Sequence, residues 1–278
     1  MIRIVTDSAA DLPAEIATLH GVEVVPMTIR FGRQEYVDGV DMGPAAFWSK
    51  LTTASALPET LPPSAADFLD AFERLVVDGA TGIVVVTISS AVSATYQNAL
   101  LAAEKIADRC AVRVIDSQTA SMAQGLQVTA AAAVAAGGAP LDEVALTAGQ
   151  TAAKTNVLAA LDTLDFLARG GRVGRASARF ADLLRIKPIV QFVDGAVASA
   201  GRVRSRERAL EALVGRVVEL ADRIDALAIV HGDAPDVERL IDAIHGVLPG
   251  QNPIIAELGP VVGTHTGPGT IGIAYRLI

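Results

Sequence analysis

Short runs rich in Val and Ile at residues 2–6, 22–26, 82–87 and 111–116 alternate, through the first half of the chain, with longer segments rich in Ala, Leu and Glu. The runs predict strands, and strands apolar at nearly every position are covered on both faces. The segments between them, residues 13–20, 64–77, 92–109 and 121–136, have the length and period of helices. Ser64 and Asp67 carry the spacing of a capping box. The expected unit is a three-layer α/β/α stack on a parallel sheet.

The pattern changes in the second half. Residues 186–193 and 196–205 flank Asp194-Gly195, a pair that favours the positive φ angles of a tight hairpin turn. Helix-like residues 207–222, a strand at 227–231, a helix at 236–247 and terminal strands near 253–257 and 272–277 complete an α/β unit whose sheet is mixed. The change in character places a domain boundary near residue 155, giving an N-terminal domain over residues 1–155 and a C-terminal one over 156–278. No internal repeat is visible.

Charge divides along the same line. Residues 1–150 hold 8 basic and 17 acidic groups, a balance of −9, whereas residues 151–278 hold 15 and 14, a balance of +1. The total of −8 argues against nucleic acid as a general partner. Residues 169–208 nevertheless carry ten basic groups against three acids. Arg202, Arg204 and Arg206 alternate within this stretch, which on a strand places all three on one face. With Arg172 in the nearby GGRVGR segment they suggest docking of an acidic partner, the plainer reading being a solvated face.

Several chemistries are disfavoured by what the chain lacks. A single cysteine, Cys110, excludes a disulfide framework and multi-cysteine metal sites, and it reads as a small buried thiol in a reducing, cytoplasmic setting. The four histidines (20, 231, 245, 265) are scattered, so no metal site and no cofactor are expected. Glycine-rich nucleotide fingerprints and the G-x-S-x-G elbow are absent. The start of the chain does not look like a secretory signal, and the most apolar stretch, residues 130–138, is too short to span a membrane.

Three places carry candidate chemistry. Residues 87–96, TISSAVSATY, follow an apolar run and open a helix, so hydroxyls and backbone N–H groups converge where an anion is favoured; Ser93 is the candidate contact. Helix capping accounts for one such serine, less readily for this density of hydroxyls. Thr60 lies in PETLPPS, a loop stiffened by prolines that can hold a donor still, or simply turn the chain. Residues 259–270, GPVVGTHTGPGT, form a glycine-rich turn around His265, where backbone can approach a ligand closely.

With those residues collected, the chain resembles the DegV family, the group that includes the fatty acid-binding subunits of bacterial fatty acid kinase. The resemblance rests on IVTDSAADLP at 4–13, VTISSAVSATYQNA at 86–99, VIDS at 114–117, LDTLDFLARGGRVGR at 161–175, LLRIKPIV at 183–190 and GPVVGTHTGPGTIGIAY at 259–275. It spans about residues 2–277. It implies a two-domain α/β fold that buries a long-chain fatty acid such as palmitate between the layers of the N-terminal domain, with the carboxylate near the domain interface. It further implies head-group contacts at Thr60, Ser93 and His265, no catalysis by the chain itself, and presentation of the carboxylate to a partner kinase for acyl phosphate formation.

On that resemblance the basic segment faces the kinase, and transient membrane contact accompanies lipid transport. Two departures bear on the head group: Leu61-Pro62-Pro63 stands where the family commonly has Ser-Gln-Pro, and Ala94 stands where it has Gly. Both candidate hydroxyls survive. A competing expectation is a serine-type acyl hydrolase or acyltransferase, with Ser93 as nucleophile and His265 as base, which requires a hydrogen bond between the two.

Overall fold

The structure, a computed structural model, describes residues 1–173 and 186–278. Strands β1 (Ile2–Asp7), β2 (Val22–Val25), β6 (Gly82–Thr87) and β7 (Val112–Asp116) form a parallel sheet in the order β2-β1-β6-β7. Alternate side chains point to opposite faces, and both faces are filled. Val5, Val25, Ile83 and Val85 pack with Phe68, Phe72 and Ala99 from helices α3 (Ala65–Val77) and α4 (Thr95–Ile106). Ile4, Val84 and Val86 pack with Val128, Ala132, Val144 and Ala148 from α5 (Met122–Ala136) and α6 (Leu141–Ala152).

The three-layer unit read from the apolar runs is therefore present. Its local signals hold too: the Ser64 hydroxyl accepts from the Asp67 N–H, and the Asp67 carboxylate accepts from the Ser64 N–H. Cys110 is buried in the α3/α4 layer, and burial pushes its thiol up.

From β8 (Thr155–Ala160) onward the chain builds a second sheet with β9 (Lys187–Val193), β10 (Ala196–Val203), β11 (Ile224–Gly232), β12 (Ile254–Glu257) and β13 (Thr270–Leu277), in the order β10-β9-β8-β13-β11-β12. It is mixed: β11 and β12 are parallel and the remaining pairs antiparallel. The β9/β10 hairpin turns at Asp194 and Gly195, whose φ angles of 50° and 73° are those the Asp-Gly pair predicts. Helices α8 (Arg206–Leu220) and α9 (Val237–Val247) cover one face, where Leu213 and Leu240 meet Leu158, Ile229 and Ile273.

The opposite face meets the first half of the chain. Val157, Ala228, Val230 and Ala274 join Met27, Phe47, Trp48, Met122 and Leu126 in one cluster. Gln127, buried on α5, fastens the two sheets by donating to the Ser117 carbonyl at 3.1 Å and to Thr155 Oγ1 at 2.7 Å. Gln124, one turn earlier, donates to Thr6 Oγ1 at 2.9 Å.

Four elements lie between residues 28 and 61, where the apolar pattern marks none. Strands β3 (Thr28–Phe31), β4 (Gln34–Val37) and β5 (Glu59–Leu61) form a small antiparallel sheet, order β4-β3-β5, and α2 (Pro44–Thr53) lies between the last two in sequence. Thr60 thus belongs to a strand, opposite Ile29, instead of a loop. The expected turn at 259–270 is largely a seven-residue helix, α10 (Pro260–Thr266). A five-residue helix, α7 (Asp165–Arg169), precedes it in sequence.

We propose that the change of sheet at Thr155 is the domain boundary and that the two units, sharing a core, unfold as one. Calorimetry is expected to show a single cooperative transition; two resolved transitions would show independent cores.

Candidate functional site

A cavity of about 220 Å³ opens between the inner face of the six-stranded sheet and the first half of the chain. Val157, Ala159, Val190, Phe192, Val197 and Val230 supply the sheet side, and Met27, Ile88, Val92 and Ala120 the other. The cavity therefore lies in the seam, whereas the resemblance implies a pocket between the layers of the N-terminal unit. The physical reason is that helices already fill both faces of the parallel sheet. The six-stranded sheet carries helices α8 and α9 on its outer side, and its inner side is closed against side chains that leave a void.

The three residues proposed for the head group, Thr60, Ser93 and His265, all line this cavity. Thr60 Oγ1 and His265 Nε2 are 2.9 Å apart, joining β5 to α10. Ser93, in the turn before α4, hydrogen-bonds Thr95 Oγ1 at 2.8 Å and accepts from the Thr95 N–H. Ser93 and His265 share no hydrogen bond, so the nucleophile and base of the hydrolase expectation are not paired. The buried His265 Nδ1 has no hydrogen-bond partner among the described residues.

Arg172, expected on a docking surface, lines the cavity. Its Nε donates to the Val92 carbonyl at 3.3 Å and its Nη1 to the Gly170 carbonyl at 2.8 Å. A Cβ at Gly170 would collide with His265 Nδ1, so only glycine lets the backbone lie against the ring. Val92, Arg172, Gly170, His265 and Thr60 thus form one chain of contacts that begins beside Ser93. Burial, with the Arg172 charge acting in the same direction, pushes the His265 imidazole down to about 4. The ring is neutral at ordinary pH.

The other arginines also separate. Arg202 is the last residue but one of β10 and Arg204 follows the strand, both exposed, and neither makes an ion pair among the described residues. Arg206 is the first residue of α8, so the shared strand face expected for the three does not exist. Its guanidinium turns inward to Asp236, which is a correction to its expected docking role. Arg175, Arg179 and Arg185 lie outside the described residues. Among the described residues no group of His, Cys, Asp and Glu is arranged to hold a metal ion.

One cluster went unread in the sequence. Asp7, Asp11 and Asp38 are all buried. Asp7 accepts from the N–H groups of Ala9 and Ile88, and Asp11 accepts from the Gly259 N–H at 2.8 Å, at the start of α10. Burial raises all three: Asp7 to about 6, Asp38 to about 7 and Asp11 well above the usual carboxylate range. The signal for two of them was TDSAADLP itself, in which Asp7 closes a buried strand and Asp11 follows four residues later.

The fold and site are those of an α/β protein that encloses an apolar cavity with a few hydroxyl and imidazole groups in its wall. The family profile described as "Uncharacterised protein, DegV family" matches residues 1–277. A DegV domain-containing protein of Streptomyces coelicolor is 34% identical over 284 residues, covering 98% of this chain and 97% of its own. The chain belongs to the DegV family. A solved DegV family protein from Thermus thermophilus, described by its fatty acid binding, is 31% identical with a TM-score of 0.90, covering 100% of this chain and 99% of its own. A stearic acid-binding protein from Eubacterium ventriosum is 25% identical with a TM-score of 0.89, covering 99% and 98%.

Two outcomes follow from this geometry. Gly170→Ala keeps a backbone conformation open to alanine, with φ −75°, but drives its methyl into His265. It is expected to displace the ring and break the Thr60 contact, which the imidazole resonances of His265 report; unchanged resonances would contradict the packing. The second outcome concerns Asp38. Because its folded-state value lies above the unfolded one, its contribution to stability is complete at low pH and is lost as pH rises through about 7. Asp38→Asn should flatten that fall, worth at most about 4 kcal/mol, in denaturant melts between pH 4 and 8.

Proposed function

We propose that the protein is a carrier, not an enzyme: it binds a long-chain fatty acid such as palmitate in the seam cavity. The carboxylate lies at Thr60, Ser93 and His265, for presentation to a partner fatty acid kinase that forms the acyl phosphate. The observation that carries this reading is an apolar cavity whose wall brings those three groups to one place. The fatty acid binding described for the Thermus thermophilus and Eubacterium ventriosum relatives supports it.

The energetics suit an acyl chain. Burying about fourteen methylenes at ~0.8 kcal/mol each contributes on the order of 11 kcal/mol before ordering costs. The chain supplies the affinity and the polar groups orient the head. With Nε2 protonated, His265 donates to Thr60 Oγ1, which leaves the Thr60 hydroxyl free to donate to a carboxylate. A neutral imidazole and two hydroxyls orient the head, with the Arg172 guanidinium in the same wall. The same groups then tolerate either a carboxylate or the more highly charged acyl phosphate.

Arg202 and Arg204, exposed and without ion pairs among the described residues, are the residues we assign to kinase docking. The setting is cytoplasmic, in lipid transport or fatty acid metabolism, with transient membrane contact during exchange. No helix among the described residues is long and apolar enough to cross a membrane.

Mass spectrometry under native and then denaturing conditions tests the reading. One fatty acid per chain, released on denaturation, is expected; a protein still empty after incubation with palmitate would overturn it. Replacing both Thr60 and Ser93 by alanine should weaken palmitate binding by about 3 kcal/mol or more. Reversing Arg202 and Arg204 to glutamate should leave palmitate bound while abolishing its phosphorylation by a fatty acid kinase. Turnover of chromogenic acyl esters that disappears in Ser93→Ala would instead establish the hydrolase.

A further inference from the structure

Arg206 does not line the cavity, yet its guanidinium is committed to the element that follows His265. Its Nε and Nη2 bind both carboxylate oxygens of Asp236 at 2.7 and 2.6 Å, a fork that fixes the plane of the group. Nη1 then points to the Gly269 carbonyl, to which it donates, and comes within 3.5 Å of Asp162 Oδ1. Lys187 Nζ binds the same Asp162 oxygen at 2.8 Å. The Arg206 side chain is only 24% exposed and that of Asp236 12%. The Arg206–Asp236 pair is far less open to solvent than the ion pairs on the outside of α8.

Gly269 is held from every side. Its N–H donates to the Gly232 carbonyl at 2.7 Å, its carbonyl is taken by Arg206, and its Cα lies against the Asp162 carboxylate, where a Cβ would come within 2.8 Å. The next residue, Thr270, is fully buried and turns its hydroxyl back to the carbonyls of Thr266 at 3.0 Å and Gly267 at 2.9 Å. Those carbonyls end α10, one and two residues beyond His265.

A helix of seven residues is too short to hold its own geometry in water, so its ends must be fixed from outside. At its start the Gly259 N–H is bound by Asp11. At its end the only charged side chain donating to the turn is Arg206, among the described residues. We propose that Arg206 is a positioning residue for the ligand head group, setting the place of His265 through Asp236, Asp162 and the Gly267–Thr270 turn. This rests on the fatty acid reading above. The basic stretch thereby divides into Arg202 and Arg204, which face outward, and Arg206, which works within the fold.

The test is a double-mutant cycle of Arg206→Gln and His265→Ala, read by calorimetric titration with palmitate, together with the pH titration of the His265 imidazole by nuclear magnetic resonance. Arg206→Gln is expected to weaken palmitate about tenfold when His265 is present and less than about twofold when it is absent. It should also raise the His265 midpoint towards the ordinary imidazole value as water reaches the loosened ring. Arg206→Lys keeps the charge, but one ammonium cannot reproduce the planar fork to Asp236 while reaching Gly269, so the same direction of change is expected from a less perturbed fold. Equal losses in both His265 backgrounds, or an unchanged His265 midpoint in a folded variant, would overturn the proposal. If the wild-type chain fails to bind palmitate the fatty acid reading falls, and the His265 titration alone then decides the role of Arg206.

Discussion

Thr60 and His265 are 205 residues apart in the chain and meet at 2.9 Å in the wall of the cavity. The contact depends on seating the small antiparallel sheet against α10. Two aromatic rings from α2 do this: Phe47 and Trp48 are buried at the centre of the shared cluster, 4.9 Å apart and nearly perpendicular. A Cβ at Gly263 of α10 would lie 2.7 Å from each, and Trp48 presses equally closely on Gly232 of β11. Glycine at these places serves close approach. The rings reach the helix and strand backbones, and the sheet that carries Thr60 follows them.

Three buried carboxyls are held by hydrogen bonds and not by ion pairs among the described residues. Asp7, Asp11 and Asp38 face N–H and hydroxyl donors, with no basic side chain among the causes that act on them, and burial favours their protonated forms. His265, on the helix that begins beside Asp11, is kept neutral by burial and by Arg172. One end of α10 thus meets a carboxyl that resists ionisation, and the other carries an imidazole that resists protonation. With its midpoint held near 4, the imidazole stays neutral near pH 7 and presents the cavity with a hydrogen-bonding group of fixed charge.

What could be read in the residues was what repeats. The Val-rich strands of the parallel sheet, the capped α3, the Asp-Gly hairpin and α8 and α9 all follow from local period and turn chemistry. The small sheet does not, because Thr28–Phe31, Gln34–Val37 and Glu59–Leu61 are three- or four-residue strands of mixed polarity, below the length at which alternation is distinguishable from chance. α10 was hidden for a different reason: its glycines and threonines are poor helix formers, and the helix exists through Asp11, Phe47, Trp48 and Thr270, which come from elsewhere in the chain. The candidate residues Thr60, Ser93 and His265 were found by residue type and family resemblance. The direction in which an arginine points depends on acids distant in sequence, such as Asp236 for Arg206, and charge periodicity carries no trace of that.

A cavity in the seam between two sheets has an energetic consequence that a pocket inside one layer lacks. Its walls belong to both halves of the chain, so whatever fills it adds apolar contact across the surface that joins them, where a void forfeits those contacts. Binding and the association of the halves are then linked, and an apolar occupant stabilises the folded chain by mass action as well as by local packing. Such a protein gains most when occupied. Direct ties such as Gln127 to Thr155, Ser89 to the Gly195 carbonyl and the Gly259 N–H to Asp11 are hydrogen bonds that hold the seam independently of an occupant. They keep the register of the two sheets while leaving the apolar centre free to open and refill.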